Sequence, residues 1–373
     1  MLLSLPDEIL LKILKLLRQP PYGYYSTTKH DVLSCRLACR RLSRIGDDIV
    51  FEDILLTPDA TSRQAFVELS CSPLSQKIKT LHCYYEVFDQ QLATLFDKRT
   101  VVSSTPTFIL NQLKNLRRIT LLQSCAYGVD NEDGLFANNP SDLTKSPVAY
   151  SIFEHVVGAL SQSGPHIEQL TVGYFDEQDC PNPDDFGLVS TMPNPRPMSY
   201  PKYEQAFGHL RRLRISLPRT MADDENLDYT GLSTLISAAT TLEDLYLCSS
   251  FQSRLAFPIN FLRSNHISKL TTIVLENFLF KESADLLTFL RMHATTLHHL
   301  GLFSLVLERG AWEDAIIGIR DWLSVQSCSV QELLVRNDGN DEDICATQIS
   351  HSFYKALGSF IEGKVNAHPF HSL

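Results

Sequence analysis

The chain has no apolar run near the roughly 18–20 residues that a bilayer-spanning helix needs. Its opening Met1-Leu2-Leu3 is similar to the start of a secretory leader. However, Asp7, Glu8, Lys12 and Lys15 break the apolar stretch and no basic segment precedes it. Positive charge is in deficit: 33 Lys and Arg against 43 Asp and Glu give a net −10, which argues against a nucleic-acid backbone as partner. The nine cysteines include no CxxC pair, so no zinc knuckle or thioredoxin-type site is signalled. Cys35 and Cys39, four apart on an expected helix, read as small apolar packing residues, and the set as reduced thiols.

Catalytic signatures are missing as well. There is no phosphate-binding or dinucleotide-binding glycine loop, no nucleophile elbow and no paired-histidine zinc helix. The run from Asp338, DGNDED, opens like a calcium loop but has Asp343 where glycine is needed and Ile349 where the bidentate glutamate is needed. His298-His299, and His368 with His371, have no acid or thiol partners at ligand spacing and read as surface histidines. The expectation is a non-enzymatic protein of the cytoplasm and/or nucleus, with no cofactor, no metal, and neither membrane nor nucleic acid as partner.

A 44% hydrophobic and 20% charged composition supports a sizeable core without disulfides. In LPDEILLKILKLL (residues 5–17), Ser4 can cap a helix, Pro6 suits its first turn, and Asp7 and Glu8 favour its positive end. Ile9, Leu10, Ile13, Leu14 and Leu17 then form a wide apolar stripe. A turn-rich insert, RQPPYGYYSTTKH, carries Pro20, Pro21 and Gly23. Asp31 can cap a second helix, VLSCRLACRRLSRI, with Leu33, Leu37, Leu42 and Ile45 on its apolar face, and a short segment, DDIVFEDI, follows. Each helix has more apolar side chain than so small a unit can bury alone. It must therefore pack on the rest of the chain or on a partner.

The order LPDEILLKIL, CRLACRRLSRI and IVFEDI resembles the F-box motif over roughly residues 3–54, most specifically in Leu5-Pro6-Asp7-Glu8-Ile9 and Cys39-Arg40-Arg41-Leu42. The insert between the first two helices is longer than is usual in that family. The resemblance implies docking on the Skp-type linker subunit of a cullin–RING ubiquitin ligase. The face it implies is made of Leu5, Pro6, Ile9, Leu10, Ile13, Leu33, Leu37 and Leu42.

The rest of the chain repeats L-x-x-L-x-L, with Ile, Val or Cys allowed. The units start at Ile78, Leu116, Ile167, Leu210, Leu242, Leu270, Leu297 and Val330. Each ends in a period-two alternation expected of a strand with one buried face. Helical stretches such as LSTLISAAT, SADLLTFLRMHAT and WEDAIIGIRDWLS lie between most of them. Strand–helix units at this spacing predict a leucine-rich-repeat solenoid with a parallel concave sheet, roughly 34 Å across for eight strands. The asparagine or cysteine that follows each strand in regular repeats is mostly missing. This is similar to the irregular repeats of F-box proteins in filamentous fungi. Long loops stretch the early units, near 130–147 and from Cys180 to Pro201.

The expected fold is thus α/β: a short helical F-box over 1–56, then an irregular solenoid over 57–373. Leu213, Leu245, Ile273, Leu300 and Leu333 should form one buried ladder. Between the leucines, His82, Tyr84, Arg118, Arg212, Arg214, Asp244, Tyr246, Glu276, His299, Phe303 and Arg336 point outward as candidate target contacts, because aromatics and arginines anchor interfaces. Four lysine- and arginine-free acidic clusters begin at Asp130, Asp176, Asp223 and Asp338, each after an expected strand, and would share one rim that attracts a basic target. Functionally, this implies a substrate-recognition adaptor whose partners are the linker, the cullin scaffold and a protein target. It would work by proximity without chemistry of its own. The alternative is a repeat scaffold without a ligase role.

Overall fold

In the computed structural model, the residues described are 5–18, 28–56, 60–86, 110–124, 156–162, 164–172, 200–217, 230–249, 255–256, 267–309, 311–335 and 351–366. The chain is α/β, with one parallel sheet and helices between its strands. The four acidic clusters, the first long loop, the second up to residue 199, and Arg336 lie outside the described residues; Tyr200 and Pro201, the expected end of the second loop, instead open a helix.

Three helices come first: α1 (Asp7–Arg18), α2 (Thr28–Ala38) and α3 (Arg40–Val50). The sequence suggested a single second helix starting after Asp31. Instead α2 starts earlier and the run breaks at Cys39, whose backbone is extended (φ −163°, ψ 160°) and whose Sγ accepts from the Leu42 amide at 3.5 Å as the N-cap of α3. The break lets α3 fold back, so that Leu42, Ile45, Ile49 and Val50 bury against Leu10, Leu14 and Val32. A continuous helix would have carried those side chains away from α1, so tertiary packing overrides the local pattern. The crossing is tight where a Cβ on Gly46 would come within 2.5 Å of Arg36 Cγ. Arg36 passes there to pair with Asp47 at 2.5 Å, its guanidinium 5.2 Å from the centre of the Phe51 ring.

The sheet begins with β1 (Asp53–Leu56), inside residues 1–56, since Ile54 and Leu56 pair with Leu81 and Cys83 of β2 (Thr80–Glu86). After α4 (Ala60–Ser70) and β2 come β3 (Arg118–Ser124), β4 (Gln169–Val172), α5 (Tyr200–Phe207), β5 (Arg212–Leu217), α6 (Thr230–Ala238) and β6 (Asp244–Ser249). The short β7 (Leu255–Ala256) precedes β8 (Thr272–Glu276), β9 (Phe278–Glu282), α7 (Ser283–Arg291), β10 (His299–Arg309), α8 (Trp312–Trp322), β11 (Ser327–Val335) and α9 (His351–Ile361).

Strands β1 to β6, β8, β10 and β11 pair side by side in chain order, all parallel. One row of inward residues, buried except for the half-buried Ile54 and Cys328 at its two ends, runs straight across them: Ile54, Leu81, Ile119, Leu170, Leu213, Leu245, Ile273, Leu300 and Cys328. A second row joins Leu56, Cys83, Leu121, Val172, Ile215, Leu247, Leu275, Leu302 and Val330. Both rows merge with the apolar faces of the helices into one continuous core. Just before the strands, the amides of Lys79, Arg117, Glu168, Arg211, Glu243, Thr271, His298 and Gln326 each donate at 2.8 Å to the carbonyl of the preceding unit.

The ladder departs from expectation at its end. Leu333 pairs with Leu305, and the partner of Leu300 is Cys328. The eighth unit is therefore Val325-x-x-Cys328-x-Val330. The cause is a kink shared by three neighbouring strands: Asn277, Ser304 and Glu332 sit side by side with φ of 60°, 48° and 54°. A left-handed residue resets the two-residue alternation, so inward side chains fall at 328 and 330 and then at 333. That reset itself writes an L-x-x-L-x-L pattern out of step with the true repeat. Beyond the kink, Phe278, Phe280, Leu305 and Leu307 bury in the same core. Asn277 Nδ2 donates to the Ser249 carbonyl at 3.1 Å, and Ser304 Oγ to Glu332 Oε2 at 2.5 Å. The last strand is closed by α9 and the residue that follows it, Glu362, which accepts the Cys328 amide at 2.7 Å.

Candidate interaction surfaces

Two surfaces are left open by this packing. The first is on the helical unit. The segments Leu5-Pro6-Asp7 and Arg40-Arg41-Leu42 are clasped together: Arg41 donates to Asp7 Oδ1 through Nε at 2.7 Å and to the Leu5 carbonyl at 2.6 Å, while Arg44 reaches Asp7 Oδ2 at 2.7 Å. The Arg41 bond, more than its charge or that of Arg44, holds the Asp7 carboxyl below the ordinary aspartate range. The clasp fixes the start of α1 across α3.

With that geometry fixed, the eight expected docking residues divide. Leu10 (1% exposed) and Leu42 (6%) are inside the unit's own core, where the sequence reading had placed them on the docking face. Leu5 and Ile13 are half-buried, and Pro6 is exposed. Ile9 (40%), Leu33 (39%) and Leu37 (90%) are open to solvent. Leu16, at 67%, is a further exposed residue that sequence reasoning missed, although it continues the spacing of Pro6, Ile9 and Ile13 along one side of α1. Apolar side chains this open, on a unit with its own core, lose favourable burial unless something covers them.

The second surface is the strand face turned away from the helices. It presents rows set by the register. One runs Arg118, Gln169, Arg212, Asp244, Thr272, His299 and Ser327; the next runs Leu55, His82, Thr120, Thr171, Arg214, Tyr246, Val274, Gly301 and Ser329. Arg212 pairs with Asp244 at 2.9 Å, the Arg214 guanidinium lies 5.5 Å from the centre of the Tyr246 ring, and the Tyr246 hydroxyl donates to Glu276. Burial first, and the Glu276 carboxylate second, push the Tyr246 phenol far above its ordinary range, so it stays a donor. Phe303 is folded over Gly301, where a Cβ would stand 2.8 Å from its ring and 3.1 Å from the Val274 methyls. Glycine is needed here for space.

Seven of the expected target contacts thus sit on neighbouring strands: Arg212, Arg214, Asp244, Tyr246, Glu276, His299 and Phe303. Arg118 is exposed two strands from Arg212, and His82 is half-buried three strands from Arg214. Tyr84 lies in β2, its side chain outside the described residues, as is Arg336. Thr120, Gln169 and Thr171 lie on the same face, and alternation along β4 is the signal that would have added the last two.

Among the described residues no group of His, Cys, Asp and Glu could hold a metal ion, and no helix is long and apolar enough to cross a membrane. Burial raises the thiols of Cys83 and Cys328 to about 12, so both are inert packing groups. No protein-family model matches the chain, and no curated protein matches it either.

Proposed function

We propose that this chain is a substrate-recognition adaptor of a cullin–RING ubiquitin ligase. In this reading the helical unit is an F-box that docks on a Skp-type linker, and the sheet is an irregular leucine-rich-repeat solenoid whose open strand face holds a protein target. The observation that carries it is the set of uncovered apolar side chains on the helical unit, Pro6, Ile9, Leu16, Leu33 and Leu37, on a fold clasped by Asp7 and Arg41. The two segments most like the F-box motif are the two joined by that clasp, which supports the resemblance with a contact that the sequence did not contain. Strands added one per unit, with an open face, suit the capture of an extended or surface epitope. The adaptor brings a target lysine near a charged ubiquitin carrier; the rate gain comes from effective concentration, with no reacting group supplied by this chain.

The test is co-purification of the full chain with a Skp-type linker and its cullin. The adaptor reading expects a stoichiometric complex, lost on changing Leu37→Asp. A full chain that folds and binds neither subunit contradicts it.

A further inference from the structure

The strand face is uneven, and its unevenness indicates what it binds. On β3, β4 and β5, three exposed guanidinium groups, Arg118, Arg212 and Arg214, surround a floor of Thr120, Gln169 and Thr171. Arg118 and Arg214 have no carboxylate partner among the described residues; Arg212 shares its charge with Asp244 at 2.9 Å. Two to three strands further on, the face turns apolar and flat. Val274, Gly301 and the ring of Phe303 make a tile from which no side chain rises, because Gly301 has none and Phe303 lies down over it. Tyr246 stands between the two zones, tied to Arg214 on one side and to Glu276 on the other, which fixes both.

From this juxtaposition we infer that the face binds an extended segment of the target that places an oxyanion side chain among Arg118, Arg212 and Arg214 and an apolar side chain on the Val274–Gly301–Phe303 tile. The inference rests on the reading of this face as the target-binding surface. Guanidinium forks match planar carboxylates and phosphates, and the hydroxyl and amide floor supplies further donors. Asp244 lies between the zones and Glu276 borders the tile, directly across from Phe303; each is engaged with a cation or a phenol, so they bar a second acid from the apolar end. The strand spacing sets the length: two to five steps of about 4.8 Å separate the zones, which an extended chain covers with about three to seven residues. A basic side chain in the first position meets like charge, which gives the site direction as well as composition.

The experiment uses the full chain and fluorescent peptides of alanine and serine with one Leu and, three to seven residues before or after it, Glu, phosphoserine, Gln or Lys. The Glu and phosphoserine peptides are expected to bind at least tenfold tighter than the Gln and Lys peptides, with the advantage fading at high salt. The tighter of the two identifies whether carboxylate or phosphate is the natural source of the oxyanion. Changing Arg118→Glu together with Arg214→Glu should reverse the order in favour of Lys, and Phe303→Ala should remove the preference for Leu over Ser while keeping that for Glu over Gln. Equal binding of all four peptides, or an unchanged order in the charge-reversed protein, overturns the inference. Linker association, measured on the same proteins, is reported by the helical unit alone. Its absence alongside intact peptide selection counts against the adaptor reading and leaves this site standing.

Discussion

The helical unit and the sheet solve opposite problems with the same residue types. Among the described residues the helical unit buries seven apolar side chains and leaves Leu16 and Leu37 mostly in water. The sheet joins its strands and helices into one core and shows solvent a face of arginine, threonine, tyrosine and glutamine. A core as small as the first has little cohesion to spare, so open leucine there marks half of an interface. The second has surplus cohesion and exposes chemistry suited to reading a partner.

The comparison can be broken most severely at Leu10. Leu10→Asp places a carboxylate in the small core, and we expect a loss of more than about 4 kcal/mol, enough to unfold residues 5–50 while the sheet persists. Hydrogen exchange should show protection lost on α1 to α3 and kept on β5 to β10. Coincident loss in both regions would mean that they are one cooperative unit. The same logic applied to the sheet gives a milder outcome. Leu245→Ala, in the middle of the ladder, should cost about 2–5 kcal/mol, read from chemical unfolding, because the neighbouring leucines close only partly on the cavity. Gly46→Val should cost about 1–3 kcal/mol, since the new side chain meets Arg36 at the helix crossing.

The smallest effect is electrostatic. The folded Asp7 carboxyl titrates below its ordinary value of about 3.9 because Arg41 and Arg44 favour its charge. A depressed folded pKa gives stability that is complete above the ordinary value and lost as pH falls through the folded one. The wild-type chain should therefore exceed Asp7→Asn in denaturation midpoint at pH 7, and the difference should close as the pH falls below about 4. A difference that persists at pH 2 would assign the clasp to hydrogen bonding that does not need the charge.

Much of the sheet was legible in the sequence because burial on one face forces leucine to recur at fixed spacing. Seven of the eight expected units start where the structure has them. The eighth was misplaced for a local reason: Cys328 fills a leucine position, and the left-handed turn at Glu332 creates a false copy of the motif just after it. β1 was missed as a strand because Ile54 and Leu56 follow a helix without a turn signal. In the helical unit the pattern gave the helices but could not say which half of a wide stripe faces inward. Leu10 and Leu42 went in, and Leu16, Leu33 and Leu37 stayed out, because the break at Cys39 sets the angle of α3. The outward strand residues followed from alternation alone. Their partners, Asp244 for Arg212 and Glu276 for Tyr246, depend on cross-strand register, which no single repeat encodes.

The most direct test of the central claim is a calorimetric titration of a Skp-type linker onto the full chain and onto the double variant Ile9→Asp, Leu37→Asp. Both positions are solvent-exposed, so the variant should keep the wild-type circular dichroism and unfolding midpoint, and its affinity for the linker should fall at least a hundredfold. Equal affinity for the two proteins would show that these exposed apolar residues do not form a linker-docking face.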